Sequence, residues 1–336
     1  MNRKPLVSVI LPFYNAANTL ADALASIENQ SYDNFECVMV NNNSSDDGAN
    51  VAKIFCEKDT RFRLVEEKTQ GVMFASNKGS NEAKGELICR MDADDVMAPD
   101  RLKWQVAFLL NNSDYGAVAG LVKYVPHKED TDGFARYVDW VNSVQSYDEI
   151  MLNRFVESPI VNPTAMWRSE VAQQWGMYRQ GDFPEDYEQW LRWLENGVKI
   201  AKVPKEVLEW NDSDGRLTRT DDIYSDEAFY RIKTEYLSRF LAKKNSHHPS
   251  VFVWGGSKIS RRRALMLEEF GIDIKAYIDI NKNRQLDKEV IFFEDIPESD
   301  SCFVLVYFKH NEKRKEIKAF LEKKGFTEGD NFLLLS

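Results

Sequence analysis

Glu86-Leu87-Ile88-Cys89-Arg90-Met91-Asp92-Ala93-Asp94-Asp95 is the stretch on which the rest of this chain is read. Residues 87–91 form a short, mostly apolar run, as in a strand buried on both faces, and the run ends in acids. On an extended backbone residues i and i+2 point to the same side, so Asp92 and Asp94 can face one cation and the phosphates it holds. The spacing alone decides little. Asp130/Asp132 and Asp212/Asp214 repeat it, and a polar turn capping a helix near Pro99-Asp100-Arg101 explains the acids equally well. Position is what separates Asp92 and Asp94: they follow a strand.

Working upstream, strand and helix signals alternate. Residues 7–11 read as a strand, and Asn18 or Thr19 can cap a helix bearing Leu20, Leu24 and Ile27. Residues 35–40 form the next strand, running into Asn41-Asn42-Asn43-Ser44-Ser45-Asp46, and a helix with Val51, Ile54 and Phe55 follows. Residues 62–65 and 72–83 add a strand and a helix before the acidic stretch. Such a βαβαβαβ series predicts an α/β fold with a mostly parallel sheet, binding ligands beyond the carboxyl ends of its strands. Downstream, residues 123–182 lose the alternation and become rich in aromatics. Most of these belong to a core, while Trp140, Trp167 and Trp210 are candidates to stack on the ring of a ligand. A second alternating series starts near Ser250, after the polar Asn245-Ser246-His247-His248-Pro249, which reads as a linker. The expected domains are residues 1–244 and a smaller Rossmann-like α/β domain at 245–336.

A length of 336 residues suits about two domains. Formal net charge is −10, and residues 245–336 hold 15 basic and 15 acidic side chains, so the first 244 carry the whole deficit. An acidic catalytic half fits recruitment of a divalent cation and argues against a nucleic-acid partner, which needs clustered Lys and Arg. Cys37, Cys56, Cys89 and Cys302 form no CxxC pair, as expected of a reduced protein without structural zinc. The four histidines show no metal-ligand spacing. No apolar run approaches the roughly 20 residues of a transmembrane helix, and Pro12 interrupts the first run too early for a signal peptide. The expected location is cytoplasmic, either free or peripheral at the inner membrane face, with self-association left open.

Pro12-Phe13-Tyr14-Asn15, the Asn41–Asp46 cluster, Gly71-Val72-Met73-Phe74-Ala75-Ser76-Asn77-Lys78-Gly79 and Asp92-Ala93-Asp94-Asp95 occur in this order and at this spacing. Together they resemble the family 2 glycosyltransferases, which have the GT-A fold. The resemblance continues through Asn162-Pro163-Thr164-Ala165-Met166, Pro184-Glu185-Asp186-Tyr187 with Trp190-Leu191-Arg192, Trp210-Asn211-Asp212 and Arg216-Leu217-Thr218-Arg219-Thr220. It covers about residues 5–240, and the ordered set is far more specific than any one motif.

The resemblance implies an inverting hexosyl transfer from a nucleotide-sugar, usually UDP-linked, to an acceptor hydroxyl on a carbohydrate or lipid carrier. Surface polysaccharide or glycolipid synthesis is the family's commonest setting. By this likeness Pro12, Tyr14, Asn41 and Asn42 line the nucleoside pocket. Asp92 lies near ribose and metal, and Asp94 holds the Mn2+ or Mg2+ that bridges the diphosphate. The general base comes from the acid pair before the Tyr-x-x-Trp helix, so Asp186 is assigned as base with Glu185 in support. Two acids in the first turn of a helix, favoured by its dipole, are the plainer alternative.

Three departures bear on the donor. The family's nucleoside turn often starts with an Asp, and this chain has Asn at both Asn41 and Asn42. Ser76 stands where Ala-Arg-Asn would place a basic residue, with Lys78 nearby. Asn211-Asp212 follows Trp210 where relatives often read Arg-Asp, leaving Arg216 and Arg219 as the diphosphate partners. In the second series, Trp254-Gly255-Gly256-Ser257-Lys258-Ile259-Ser260 resembles a dinucleotide-binding turn, with Asp279 about 20 residues on, but two of its three glycines are serines. An oxidoreductase, a nucleotidyltransferase and a catalytically weak nucleotide-sugar-binding protein are the rival readings. None accounts for both the ordered motifs and the retained acids.

Overall fold

Apolar runs become buried strands in β1 (Val7–Phe13) and β2 (Phe35–Asn41), and the intervening α1 (Leu20–Glu28) buries Leu20, Ala23, Leu24 and Ile27 at helical spacing. The computed structural model describes residues 4–127, 132–212, 216, 221–281 and 283–336. Asp130, Asp214, Arg219 and the Leu217, Thr218 and Thr220 beside it lie outside the described residues. After β2 come α2 (Gly48–Lys58), β3 (Phe62–Glu66), α3 (Val72–Glu82), β4 (Leu87–Arg90) and the two-residue β5 (Val96–Met97). The remainder of the first series is α4 (Arg101–Asn111), β6 (Tyr115–Val125), α5 (Asp132–Ser143), α6 (Tyr147–Asn153), β7 (Met166–Arg168), α7 (Ser169–Trp175), α8 (Glu185–Glu195) and β8 (Lys199–Asn211).

These strands form one sheet in the order β3-β2-β1-β4-β7-β6-β8-β5. The pairs β1–β2, β1–β4, β2–β3 and β6–β8 are parallel, whereas β7 runs antiparallel to both β4 and β6. The mostly parallel sheet is as expected. The loosened stretch 123–182 holds the reversal: its Met166–Arg168 strand fits between β4 and β6 and lets the sheet continue. Trp167 on that strand is fully buried and meets Trp190 and Trp193 edge to face at 6.3 and 5.8 Å. It therefore packs in the core and cannot stack on a sugar.

Two glycines permit close packing. Gly79 of α3 lies where a Cβ would fall 2.4 Å from Ile10 Cγ2, so the helix seats directly on β1. On β6, a Cβ at Gly120 would lie 2.4 Å from Val207 Cγ1 of β8, at a point where the pairing register shifts.

The second series gives α9 (Asp226–Lys244), β9 (Ser250–Trp254), α10 (Lys258–Glu269), β10 (Asp273–Asp279), β11 (Glu289–Phe292), β12 (Val304–Tyr307), α11 (Asn311–Lys323) and β13 (Phe332–Leu335). Its five strands are parallel in the order β11-β10-β9-β12-β13, a Rossmann-like arrangement. The chain divides into two compact units, Met1–Ile150 with Ile160–Asp221 and Met151–Pro159 with Asp222–Ser336. The helix at 226–244 thus groups with the second unit, whereas the sequence placed it before the linker. The reason is local: buried Lys233 of α9 donates to the Val156 carbonyl at 2.8 Å, and the Arg263 guanidinium of α10 lies 4.0 Å over the Tyr230 ring of α9. Among the described residues no helix is long and apolar enough to cross a membrane.

The tight β6–β8 contact yields a stability prediction. Gly120→Ala overpacks the pair and should cost about 1–3 kcal/mol, and adding Val207→Ala should recover part of that loss. Urea unfolding of both variants checks this; an unchanged midpoint for the single variant would show that the strands have room.

Candidate active site

The carboxyl ends of β1 and β2 lie side by side, with Phe13 paired to Asn41 and Asn42 N–H donating to the Phe13 carbonyl at 2.9 Å. Pro12 is buried there, and Tyr14, just past the strand, is 53% exposed. Asn15 takes a left-handed φ of 49°, and its Oδ1 accepts from the Ser45 N–H at 2.8 Å, which ties the two strand-end turns together. Asn41 donates to Glu66 Oε2 at 2.9 Å and accepts from the Ser44 N–H at 3.1 Å. Asn42 donates to the carbonyls of Glu67 and Thr69 at 3.0 and 2.7 Å, and its Oδ1 accepts from the Gly71 N–H at 2.8 Å. Both amide hydrogens of Asn42 are thereby spent on shaping the 67–71 segment, which a carboxylate at this position could not do.

Next along the same edge is the acidic turn after β4. Arg90 donates to Asp92 Oδ1 through Nε at 2.9 Å and Nη2 at 2.7 Å, and its Nη1 donates to Ser76 Oγ. Lys78 turns instead to Glu82 on its own helix, at 2.9 Å. Asp95 Oδ1 accepts from the Asn211 N–H at 3.0 Å, and Asn211 Nδ2 donates to the Asp94 carbonyl at 2.7 Å, so the end of β8 buttresses the turn. The acids do not cap α4, because β5 intervenes and Asp100 holds that helix's N-cap position. Burial and then the Asp92 charge raise the Asp94 carboxyl above its ordinary range. Burial, followed by the Asp94 and Asp92 charges, raises Asp95 well above it. Asp95 Oδ2 is buried and has no hydrogen-bond partner among the described residues.

A divalent cation fits this chemistry: crowded carboxylates whose mutual repulsion a positive charge would relieve. Among the described residues no three His, Cys, Asp or Glu side chains converge as a metal centre. Asp94, with Asp92 beside it, would hold such an ion, and the remaining oxygens would come from substrate phosphates, as is usual for Mg2+ at diphosphates. The Arg216 guanidinium stacks 4.0 Å over the Trp210 ring, lies 3.9 Å from Asp212 Oδ1, and lowers the Asp94 carboxyl. A stacked guanidinium already covers the Trp210 ring, leaving the half-buried Trp140 as the remaining stacking candidate.

The third component is the first turn of α8. Glu185 is buried and Asp186 half-buried, and Asp186 Oδ1 accepts from the Tyr187 N–H at 2.7 Å. Burial, then the Glu185 charge, pushes the Asp186 carboxyl up to about 7; Asp92 adds to this and Arg90 opposes it. Its pKa thus responds to the acidic turn, although some 90 residues separate them in sequence. Arg192 fixes the helix, pairing with Glu188 at 3.0 Å and donating to the carbonyls of Trp175, Gly176 and Met177. Tyr178 follows that anchored loop, and its hydroxyl donates to Asn162 Oδ1 at 3.0 Å. Asn77 holds the Tyr178 carbonyl at 2.9 Å. Sequence reasoning gave no role to Arg90 or Tyr178 and none to Asn211 as a buttress; their importance comes from contacts distant in sequence.

The Glycosyl transferase family 2 model matches residues 8–175. A Bacillus subtilis (strain 168) chain, provisionally named glycosyltransferase EpsE, is 30% identical over 233 residues, covering 67% of this chain and 80% of its own. Among solved structures, S. aureus TarS 1-349 in complex with UDP-GlcNAc superposes with a TM-score of 0.57 at 18% identity, covering 79% of this chain and 71% of that one. The mannosyltransferase PcManGT from Pyrobaculum calidifontis, in complex with GDP-Man and Mn2+, gives a TM-score of 0.53 at 21% identity, covering 72% and 64%. At those identities the two structures establish a shared GT-A fold, and the sequence match establishes kinship: this chain belongs to glycosyl transferase family 2.

Proposed function

We propose that the chain transfers a sugar from a UDP-sugar to an acceptor hydroxyl with inversion, using Asp186 as general base. The observation that carries this reading is the Asp186 carboxyl, raised to about 7 at a helix start and within electrostatic reach of Asp92 and Arg90. A base poised near operating pH takes a proton most effectively. Asp186 would accept the acceptor's hydroxyl proton as its oxygen attacks the anomeric carbon and the bond to the diphosphate breaks. Glu185, buried beside it, keeps its affinity for that proton high.

Pro12, Tyr14 and Asn41 would line the nucleoside pocket, with Asn42 acting through the 67–71 segment it holds. Asp92 and Asp94 would hold Mn2+ or Mg2+, which when bound offsets charge on the leaving diphosphate. Arg216 would add a guanidinium there, and Arg219 is assigned the same task from sequence. TarS bound to UDP-GlcNAc and PcManGT bound to GDP-Man and Mn2+ support a nucleotide-sugar and a metal for this site. The acceptor would be a carbohydrate or lipid-linked chain in surface polysaccharide or glycolipid synthesis, reached from the cytoplasm or the inner membrane face. The donor site is assigned to the first unit alone. In the second unit, Asp279 is engaged by Arg284 at 2.8 Å and packs so close that a Cβ on Gly256 would lie 2.1 Å from its Oδ2. That carboxylate has little left to offer a ribose.

Calorimetric titration should show UDP binding more tightly with Mn2+ than with EDTA, and Asp94→Ala should abolish the difference; NAD(H) and NADP(H) should give no heat. Equal UDP affinity under both conditions would remove Asp94 from the metal.

Asp186→Asn should lower kcat by about 10²–10⁴-fold with donor affinity nearly unchanged, and Glu185→Gln should cost less. Because the base must be ionised, kcat/KM of the native chain should climb about tenfold per pH unit below 7 and level off above it. A larger loss in Glu185→Gln, or a flat profile from pH 5 to 8, would place the base elsewhere.

A further inference from the structure

Arg90 ends β4 with only 3% of its surface exposed. A guanidinium so deeply buried costs several kcal/mol unless its charge and N–H groups are matched. The matching here is lopsided. Nε and Nη2 both donate to one oxygen, Asp92 Oδ1, and Nη1 goes to Ser76 Oγ on α3. Asp92 Oδ2 receives no hydrogen bond from any described residue, although its side chain is 30% exposed. One oxygen of the carboxylate is therefore clamped from inside the protein while the other remains available.

The clamp is itself held. The Arg90 N–H donates to the Ala165 carbonyl at 3.0 Å, and its own carbonyl accepts from Arg101 Nη2 at 2.9 Å. Arg101 is completely buried and also bonded to Gln105 at 3.0 Å. Main chain and side chain of Arg90 are thus fixed by Ala165, just ahead of β7, and by α4 and α3. Its charge also reaches Asp94, Glu185, Asp186 and Tyr178, which makes it a common neighbour of both acidic groups.

We propose that Arg90 is a positioning residue of the donor site: by gripping Oδ1 it holds Asp92 in the one rotamer that presents Oδ2 to the cation carried in with the nucleotide diphosphate. A free aspartate side chain would sample several rotamers, and a ligand would have to order it on binding. The inference rests on the donor reading given above, so its test must separate the two.

UDP and GDP, each with Mn2+, are titrated calorimetrically into the full chain and into Arg90→Met, Arg90→Gln and Arg90→Lys, with a thermal melt of each. Truncating one partner of a buried, hydrogen-bonded charge pair costs about 2 kcal/mol or more, so Met and Gln should weaken the tighter-binding nucleotide by roughly 30-fold. Lysine keeps the charge and can reach one carboxylate oxygen, so it should recover most of that affinity. A purely structural arginine would lower the melting temperature without this graded recovery. If the native chain binds neither nucleotide, the donor reading fails and the inference fails with it. If the native chain binds and the folded Met and Gln variants bind within threefold of it, only the inference fails. A lysine variant as weak as the methionine one would also overturn it. Should Arg90→Met fail to fold, Arg90→Gln decides by the same criterion.

Discussion

Like-charge crowding at one sheet edge is the constraint to which the rest of the first unit answers. Asp92, Asp94 and Asp95 follow β4, and Glu185 with Asp186 opens α8, all in partly or wholly buried positions. Of these, Asp94, Asp95 and Asp186 hold their protons more tightly than in water, chiefly because they are buried. The sign for stability follows. A folded Asp186 near 7, against about 4 unfolded, means the native state binds more protons, so stability is lost as pH rises from about 4 to about 7. Any cation that binds the native state there recovers stability by mass action.

Two guanidiniums temper the crowding in different ways. Arg90 is locked among β4, α3 and the acidic turn, a fixed charge with fixed hydrogen bonds. Arg216 is held by stacking on Trp210, whose ring packs with Tyr124, Phe134 and Tyr137. The Arg216 stack on Trp210 needs a planar guanidinium, which lysine lacks, whereas Arg90 acts on Asp92 through its charge and hydrogen bonds. The base side is stiffened by apolar packing. Trp167, Trp190 and Trp193 meet edge to face, and such pairs add about 0.5–1.5 kcal/mol each beyond area burial. Asp186 therefore starts a helix that cannot easily shift.

Local pattern made the first four strands and their helices legible, because each apolar run is buried where it stands and each ends in turn residues. The same held for the parallel strands from Ser250 onward. What sequence could not disclose was long-range. The 166–168 strand is too short to show periodicity, and its place between β4 and β6 is set by pairing alone. The helix at 226–244 looks like the end of one domain until Lys233 and Tyr230 are seen engaging the second unit. At the site, residue types and order were readable, but the Arg90 clamp and the Asn211 buttress depend on partners brought together only by folding. Trp167 shows the converse: an aromatic that sequence left open to sugar stacking is wholly committed to the core.

The most direct test of the central claim, that a nucleotide-sugar and its cation bind at this acidic edge, is a crystal of the full chain grown with UDP and MnCl2 and measured at the manganese absorption edge. The account predicts one anomalous peak within coordination distance of the Asp94 carboxylate, with the diphosphate on its other side and the uracil beside Asn41. A nucleotide seated at the Gly255-Gly256 turn of the second unit, or a manganese peak remote from Asp94, would contradict it.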